Sequence, residues 1–451
     1  MKLSRVLAFA LAPVLVTAVT GTSWATPLNA PHTLHHARSS ESHLTVSHHA
    51  SGHRSAAHAA ASATTHAGTH HTVASAAGPA RLTPRGLAIA RTRRAALTSR
   101  RHHYYERFTA SSFASGDIFG ADNTAGEDPV VRQAAIDALG DMNGTAVVID
   151  PSNGRILAMV NQRLALSPGA EPCSTIKITV AMAALSEGLV TKDTMVQLPG
   201  FRMNMTQALA KSNNLYFEEL GRELGFERVR HYANQFGLGE LAGYNIDGEQ
   251  LGVYPDQALP ASEGGVGRMC SFGQGVSLTP LQLGAYVAAL ANGGTLYYLQ
   301  HPTSLEEVAS FEPRVKRTLD IAKFVPEMQE GMAGAVEYGT ARSLHATFHD
   351  FPVFGKTGTC SDNGTRFGWF ASFSNSPQGN LVTVFFLEGG RPTFGPRAAE
   401  LTGEFYKNLW DRNYFANKSQ QEARTLTPAP DAPPADQPLP ASPPSAQPIP
   451  Q

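Results

Sequence analysis

Strand-like runs sit at the two ends of the apolar body of this chain, and helical patterning fills almost everything between them. Residues 145–150 and 155–160 are rich in β-branched and apolar side chains, and Pro151-Ser152-Asn153-Gly154 between them supplies turn residues, so the pair reads as a hairpin. Far downstream, residues 352–358, 367–373 and 381–387 read as three consecutive strands separated by Gly, Asn and Pro turns. Helical patterning covers 174–185, 205–224, 226–236 and 280–291. Strands at both ends with helices between imply one α/β sheet covered by helices, plus a mostly helical lobe.

The flanks have a different character. Lys2 and Arg5 precede an apolar run from Val6 to Val19, and Ser23-Trp24-Ala25 offers small residues at the −3 and −1 positions of a cleavage site. Residues 1–25 thus read as a secretory signal, with a retained membrane anchor as the alternative, although Pro13 interrupts the run. Both place the body outside the cytoplasm, in a periplasmic or extracytoplasmic setting. Residues 26–127 are expected to be a disordered tether and linker. The stretch up to residue 80 is Ser, Ala, Thr and His with almost no bulky apolar side chains to offset its ordering entropy. Its paired histidines (His35-His36, His48-His49, His70-His71) are irregularly spaced and joined by no Cys or carboxylate cluster, so a solvated tether is favoured over a metal site. Arg93-Arg94 and Arg100-Arg101 mark a charged linker or surface helix; attraction to anionic lipid or wall polymer, and so association with the cell envelope or a membrane surface, is the sharper reading. Residues 418–451 form a Pro/Ala-rich tail. What remains, 128–417, has the apolar content of a single core. A net charge of −1 with 16% charged residues points to no nucleic-acid partner.

Three short strings carry the chemistry: Ser174-Thr175-Ile176-Lys177, Ser212-Asn213-Asn214 and Lys356-Thr357-Gly358-Thr359. The helix expected to open at Ser174 is apolar on nearly all sides (Ile176, Ile178, Val180, Met182, Leu185), so it should be buried. Residues three apart share a helix face, which brings Lys177 to Ser174. A lysine amine normally keeps its proton to about pH 10.4, but desolvation and a second cation lower that by several units. Lys177, buried and crowded by Lys356, could then take the Ser174 proton, while the helix N-terminus would stabilise an oxyanion. A lone S-x-x-K arises by chance about once in a chain of this length, so the ordered set is what carries the signal. Ser361-Asp362-Asn363 also fits S-x-N but is read as a turn where a strand ends.

With these strings in hand, the chain resembles the transpeptidase domain of penicillin-binding proteins, within the serine β-lactam-recognising superfamily. Gly144 to Met159 is similar to that family's opening hairpin, Tyr232 to Gly239 followed by Gly248-Glu249 to the stretch after its S-x-N, and Gly273 to Gln282 to its glycine loop and helix. The resemblance implies a β-lactamase/transpeptidase-like α/β fold: a mostly antiparallel sheet flanked by helices with an inserted, mainly helical lobe. It implies that Ser174 is the nucleophile, Lys177 its base and Ser212 a proton relay, and that Asn214 holds the substrate amide. Lys356, Thr357 and Thr359 would receive the terminal carboxylate, and Gly358 would let backbone pass close to the acyl group. The N–H groups of Ser174 and Thr359 would form the oxyanion hole. Its expected partners are peptidoglycan stem peptides and β-lactam antibiotics, and no metal or organic cofactor is implied. Some serine carbapenemases bridge cysteines at the relative positions of Cys173 and Cys360, which makes that pair a disulfide candidate and leaves Cys270 free; two buried thiols are the alternative.

Three functions fit: a D,D-transpeptidase or carboxypeptidase, a serine β-lactamase resembling class D, and a non-enzymatic β-lactam sensor. The long segment between Ser212 and Lys356, and the absence of Trp within it, argue against class D. No later run is apolar enough to suggest the spanning helices of a sensor. The expected protein is a minimal transpeptidase domain on a tether, without the glycosyltransferase part of larger family members.

Overall fold

The sheet is closed by strands that come from opposite ends of the body. In the computed structural model, which describes residues 108–418, the hairpin is β1 (Gly144–Ile149) and β2 (Ile156–Val160), and the late strands are β3 (Val353–Asp362), β4 (Thr365–Ser374) and β5 (Val382–Gly389). Their order is β2-β1-β5-β4-β3, antiparallel throughout, with β1 pairing β5 from Gly144 opposite Leu387 to Ile149 opposite Val382. The Asp150 carboxylate fixes the first turn by accepting from the Ser152 N–H and hydroxyl and the Asn153 amide. Asn363 and Gly364, both at positive φ (48° and 83°), make the two-residue turn between β3 and β4. Expected strand endings shift accordingly. β3 runs past Gly358, so Ser361 and Asp362 still pair with Arg366 and Thr365, and only Asn363 of that S-x-N look-alike lies in a turn.

Alternation along β1 divides the apolar residues into two cores rather than the single one expected. Val147 and Ile149 face a cluster with helices α2 (Lys177–Ser186) and α7 (Pro280–Ala291); Ala146 and Val148 face another with α1 (Pro129–Leu139) and α9 (Gly395–Asp411). Capping side chains set where these helices start. Asp128 accepts from the Val130 and Val131 N–H groups, and Thr279 and Gln282 form a capping box at α7 with Pro280 in its first turn. The remaining main helices are α3 (Met205–Ala210), α4 (Asn214–Leu224), α5 (Phe226–Gln235), α6 (Gly265–Phe272) and α8 (Val325–Glu337). Those from α3 to α6 belong to the inserted lobe.

Two further expectations are corrected. The helical pattern over 205–224 is broken: α3 ends at Ala210, Ser212 adopts φ 53°, and the Asn213 side chain caps α4 by accepting from the Tyr216 N–H. The linker does not extend to residue 127, because 108–127 is folded onto the sheet. Ser112 is buried, Asn143 N–H donates to its carbonyl, and the Asp122 carboxylate accepts from the Asn161 and Gln162 N–H groups and pairs with Arg132. Backbone and charged groups hold this segment, which a count of apolar residues does not register. The signal or anchor at 1–25, the tether to residue 107 and all but the first residue of the 418–451 tail lie outside the described residues. Among the described residues, no helix is long and apolar enough to cross a membrane, and no cluster of His, Cys, Asp or Glu is arranged to hold a metal ion.

Candidate active site

Three local irregularities meet around one amine. Ser174 lies in a 3-10 turn, Cys173–Ile176, that precedes α2, so the α-helix itself opens at Lys177 and not at Ser174 as expected. The second is the break at Ser212, and the third is the middle of β3. Lys177 Nζ is 2.9 Å from Ser174 Oγ, 3.1 Å from Ser212 Oγ, 3.0 Å from the Ser212 carbonyl and 2.6 Å from Asn214 Oδ1. Lys356 Nζ donates to Ser212 Oγ at 2.8 Å and to the Thr357 carbonyl at 3.0 Å. Both lysines are fully buried.

Counting donors around Lys177 shows that a neutral amine is accommodated. An ammonium has three N–H bonds to give and four oxygens surround it. Two of the four, the Ser212 carbonyl and Asn214 Oδ1, only accept. A neutral amine gives them its two N–H bonds and keeps a lone pair for the Ser174 hydroxyl to donate into. Electrostatics point the same way: burial pulls Lys177 down to about 7, against a smaller upward pull from Glu218. Burial, and then the neighbouring Lys177, hold Lys356 well below its ordinary value. Two cations sharing one hydroxyl in a dry site cannot both keep their protons at low cost.

The strand side of the site is held against the nucleophile turn by several independent ties. Cys173 and Cys360 are joined by a disulfide, with Cα atoms 5.5 Å apart, while Cys270 is a free, buried thiol. Trp369 Nε1 donates to the Glu171 carbonyl at 3.0 Å, and within the turn itself Thr175 Oγ1 donates to the Pro172 carbonyl at 2.6 Å. Gly358 passes so close that a Cβ there would meet the Pro172 carbonyl at 2.8 Å. Closing a loop of 187 residues, the disulfide should stabilise the fold by roughly 2–4 kcal/mol. Melting with and without reductant, after confirming that Cys173 and Cys360 become alkylatable, should show Tm lowered by several degrees; an unchanged Tm would mean that the bridge bears no load.

All eight site residues expected from the sequence are therefore brought together, although the hydroxyls of Thr357 and Thr359 already have partners. Thr357 Oγ1 is 2.6 Å from Thr340 Oγ1, and Thr359 Oγ1 accepts from the Gly395 N–H at 2.9 Å. Sequence reasoning missed Thr340 and Gly395. Thr340 follows the C-terminus of α8, and its N–H donates to the Ala210 carbonyl two residues before Ser212, so one residue links the break to the strand. A Cβ on the preceding Gly339 would meet that same carbonyl at 2.1 Å; a glycine just after a helix end was the available signal.

Comparison with known proteins agrees with this geometry. The penicillin binding protein transpeptidase domain matches residues 144–408, a span that contains all three converging elements. Stage V sporulation protein D of Bacillus subtilis is 30% identical over 316 residues, covering 58% of this chain and 48% of that protein. Peptidoglycan D,D-transpeptidase FtsI of Escherichia coli is 23% identical over 331 residues, covering 64% and 53%. The chain thus spans about half the length of the curated relatives it matches. Among solved structures, Pseudomonas aeruginosa PBP2 shares the fold with a TM-score of 0.53 at 23% identity, over 64% of this chain and 77% of that one. A Ser–Lys–Ser–Lys constellation with both lysines buried, set on this sheet and inside this match, places the chain in the penicillin-binding protein transpeptidase-domain family.

Proposed function

We propose that the protein is a D,D-transpeptidase or carboxypeptidase that acts on peptidoglycan stem peptides through a serine acyl-enzyme. The observation that carries this reading is the fully buried Lys177 amine, 2.9 Å from Ser174 Oγ and sharing the Ser212 hydroxyl with a second buried lysine. In acylation, the Ser174 proton passes to Lys177 as Oγ bonds to the penultimate D-Ala carbonyl carbon. The resulting oxyanion is met by the N–H groups of Ser174 and Thr359. Its collapse breaks the C–N bond to the terminal D-Ala, whose nitrogen takes a proton relayed through Ser212 from the lysine pair. Asn214 orients the substrate amide, and Lys356, Thr357 and Thr359 receive the terminal carboxylate. An acceptor amine or water then attacks the ester, giving a cross-link or a trimmed peptide. A β-lactam presents the same carboxylate and a strained amide, and is trapped on Ser174. The basic, apolar start of the chain supports export to the compartment where these substrates lie.

Incubation with a fluorescent penicillin tests this. Wild type should take up persistent label and Ser174→Ala none. Wild-type protein that stays unlabelled would overturn the reading, and rapid loss of label with drug hydrolysis would replace it with a β-lactamase.

A further inference from the structure

The loop between β5 and α9 lies across the catalytic strand, and the first described residues of the chain hold it there. At its far end, Gly395 gives its N–H to Thr359 Oγ1 at 2.9 Å, and a Cβ on Gly395 would meet the Gly358 carbonyl at 2.7 Å. Gly368, the cross-strand partner of Thr359, is equally close to the loop: a Cβ on it would meet the Phe394 carbonyl carbon at 2.6 Å. Backbone of this loop therefore rests directly on the Gly358–Thr359 edge of the site.

The near end of the loop is gripped from behind. Thr109 N–H donates to the Arg391 carbonyl at 2.6 Å, and a Cβ on Gly389 would meet the Ser111 carbonyl at 2.1 Å. Thr393 Oγ1 donates to Ser112 Oγ at 3.1 Å, and both side chains are fully buried. Ser112 is in turn anchored to the sheet, because its carbonyl accepts from the Asn143 N–H next to β1. A continuous path of close contacts thus runs from β1 through Ser112 and Thr393 to Gly395 and Thr359.

We propose that the buried Ser112–Thr393 hydroxyl pair is a positioning device for the acylation site, holding the loop that sets Thr359. Neither residue touches substrate, and the inference rests on the acyl-enzyme reading above. Displacement of a reacting group by about 1 Å can cost on the order of 100-fold in rate, so a fraction of that shift should be visible.

The test uses the full chain and a fluorescent penicillin, recording the acylation rate constant separately from the fraction finally labelled. Thr393→Val, which keeps the shape and removes the hydroxyl, should slow acylation about tenfold with full final labelling. Thr393→Ser should keep the wild-type rate. Ser112→Ala also removes the bond from Ser112 Oγ to the Arg391 carbonyl, so it should slow acylation at least as much, and the double variant should be no slower than Ser112→Ala alone, because Thr393→Val then has no contact left to break. Wild-type rates in both single variants would overturn the proposal. So would a fall in the fraction labelled with an unchanged rate constant in the remainder, since the pair would then serve stability only. Failure of wild type to label at all would instead count against the acyl-enzyme.

Discussion

Lys177→Ala should abolish acylation while leaving a folded protein. Removing a positioned general base typically costs about 10²–10⁴-fold, and here no other neutral group stands beside Ser174 Oγ to replace it. Lys356 contacts Ser212 Oγ and the Thr357 carbonyl, one hydroxyl further away. The substitution also strips N–H partners from Asn214 Oδ1 and the Ser212 carbonyl, which should cost about 1–3 kcal/mol. Against that, the protein no longer has to bury an amine. Expected together are a label rate at least about 10³-fold below wild type and a Tm within a few degrees of it. Normal acylation in this variant would remove lysine from the mechanism.

The same amine sets a pH dependence whose sign is fixed. The proposed acylation needs Lys177 neutral, and with its titration drawn down to about 7 the rate should be half-maximal near that pH and fall tenfold per unit below it. Stability should move in the same direction. Between about 7 and the ordinary lysine value of 10.5 the unfolded chain binds the proton that the folded site excludes, so stability attributable to this group rises with pH across that window. An acid limb near pH 10 would mean that the site leaves its lysine charged.

How much of this was legible in the sequence follows from the range of each interaction. The β1–β2 hairpin and the Ser174–Lys177 pair depend on local β-rich runs around a turn and on three-residue spacing, and both survive into the structure. Ser212 depends on something less visible. The helical pattern of 205–224 is interrupted only by the polar run Lys211-Ser212-Asn213-Asn214, within which Asn213 caps the new helix. Residues with no local signature were missed altogether. Thr340 matters because α8 ends against Ala210, and Gly395 because α9 begins over Thr359. Ser112 acquires its role from Thr393, 281 residues away. Composition likewise misjudged 108–127, whose buried Glu127 and half-buried Arg132 partner form an ion pair that no apolar count anticipates.

Gly358→Ala should show how little slack the site has. The added Cβ would sit 2.8 Å from the Pro172 carbonyl and 3.1 Å from both Thr175 Cγ2 and Trp369 Cβ. The first contact is with backbone, so β3 or the nucleophile turn must move. Neither is free to do so alone: the Cys173–Cys360 disulfide ties the turn to the strand, and β3 is paired to β4 along its whole length. Strain should therefore be shared, costing about 1–3 kcal/mol of stability. Catalysis should suffer more, since Pro172 lies two residues before Ser174 and Thr359 one residue after the substitution. Widening that gap separates the nucleophile from the opposing N–H, and a displacement approaching about 1 Å should lower acylation on the order of 100-fold. Reducing the disulfide should lower stability by less in this variant than in wild type, because the turn and strand can then part, and should restore none of its rate. Equal acylation by Gly358→Ala and wild type would count against the proposal that the Ser174 and Thr359 N–H groups converge on one oxyanion.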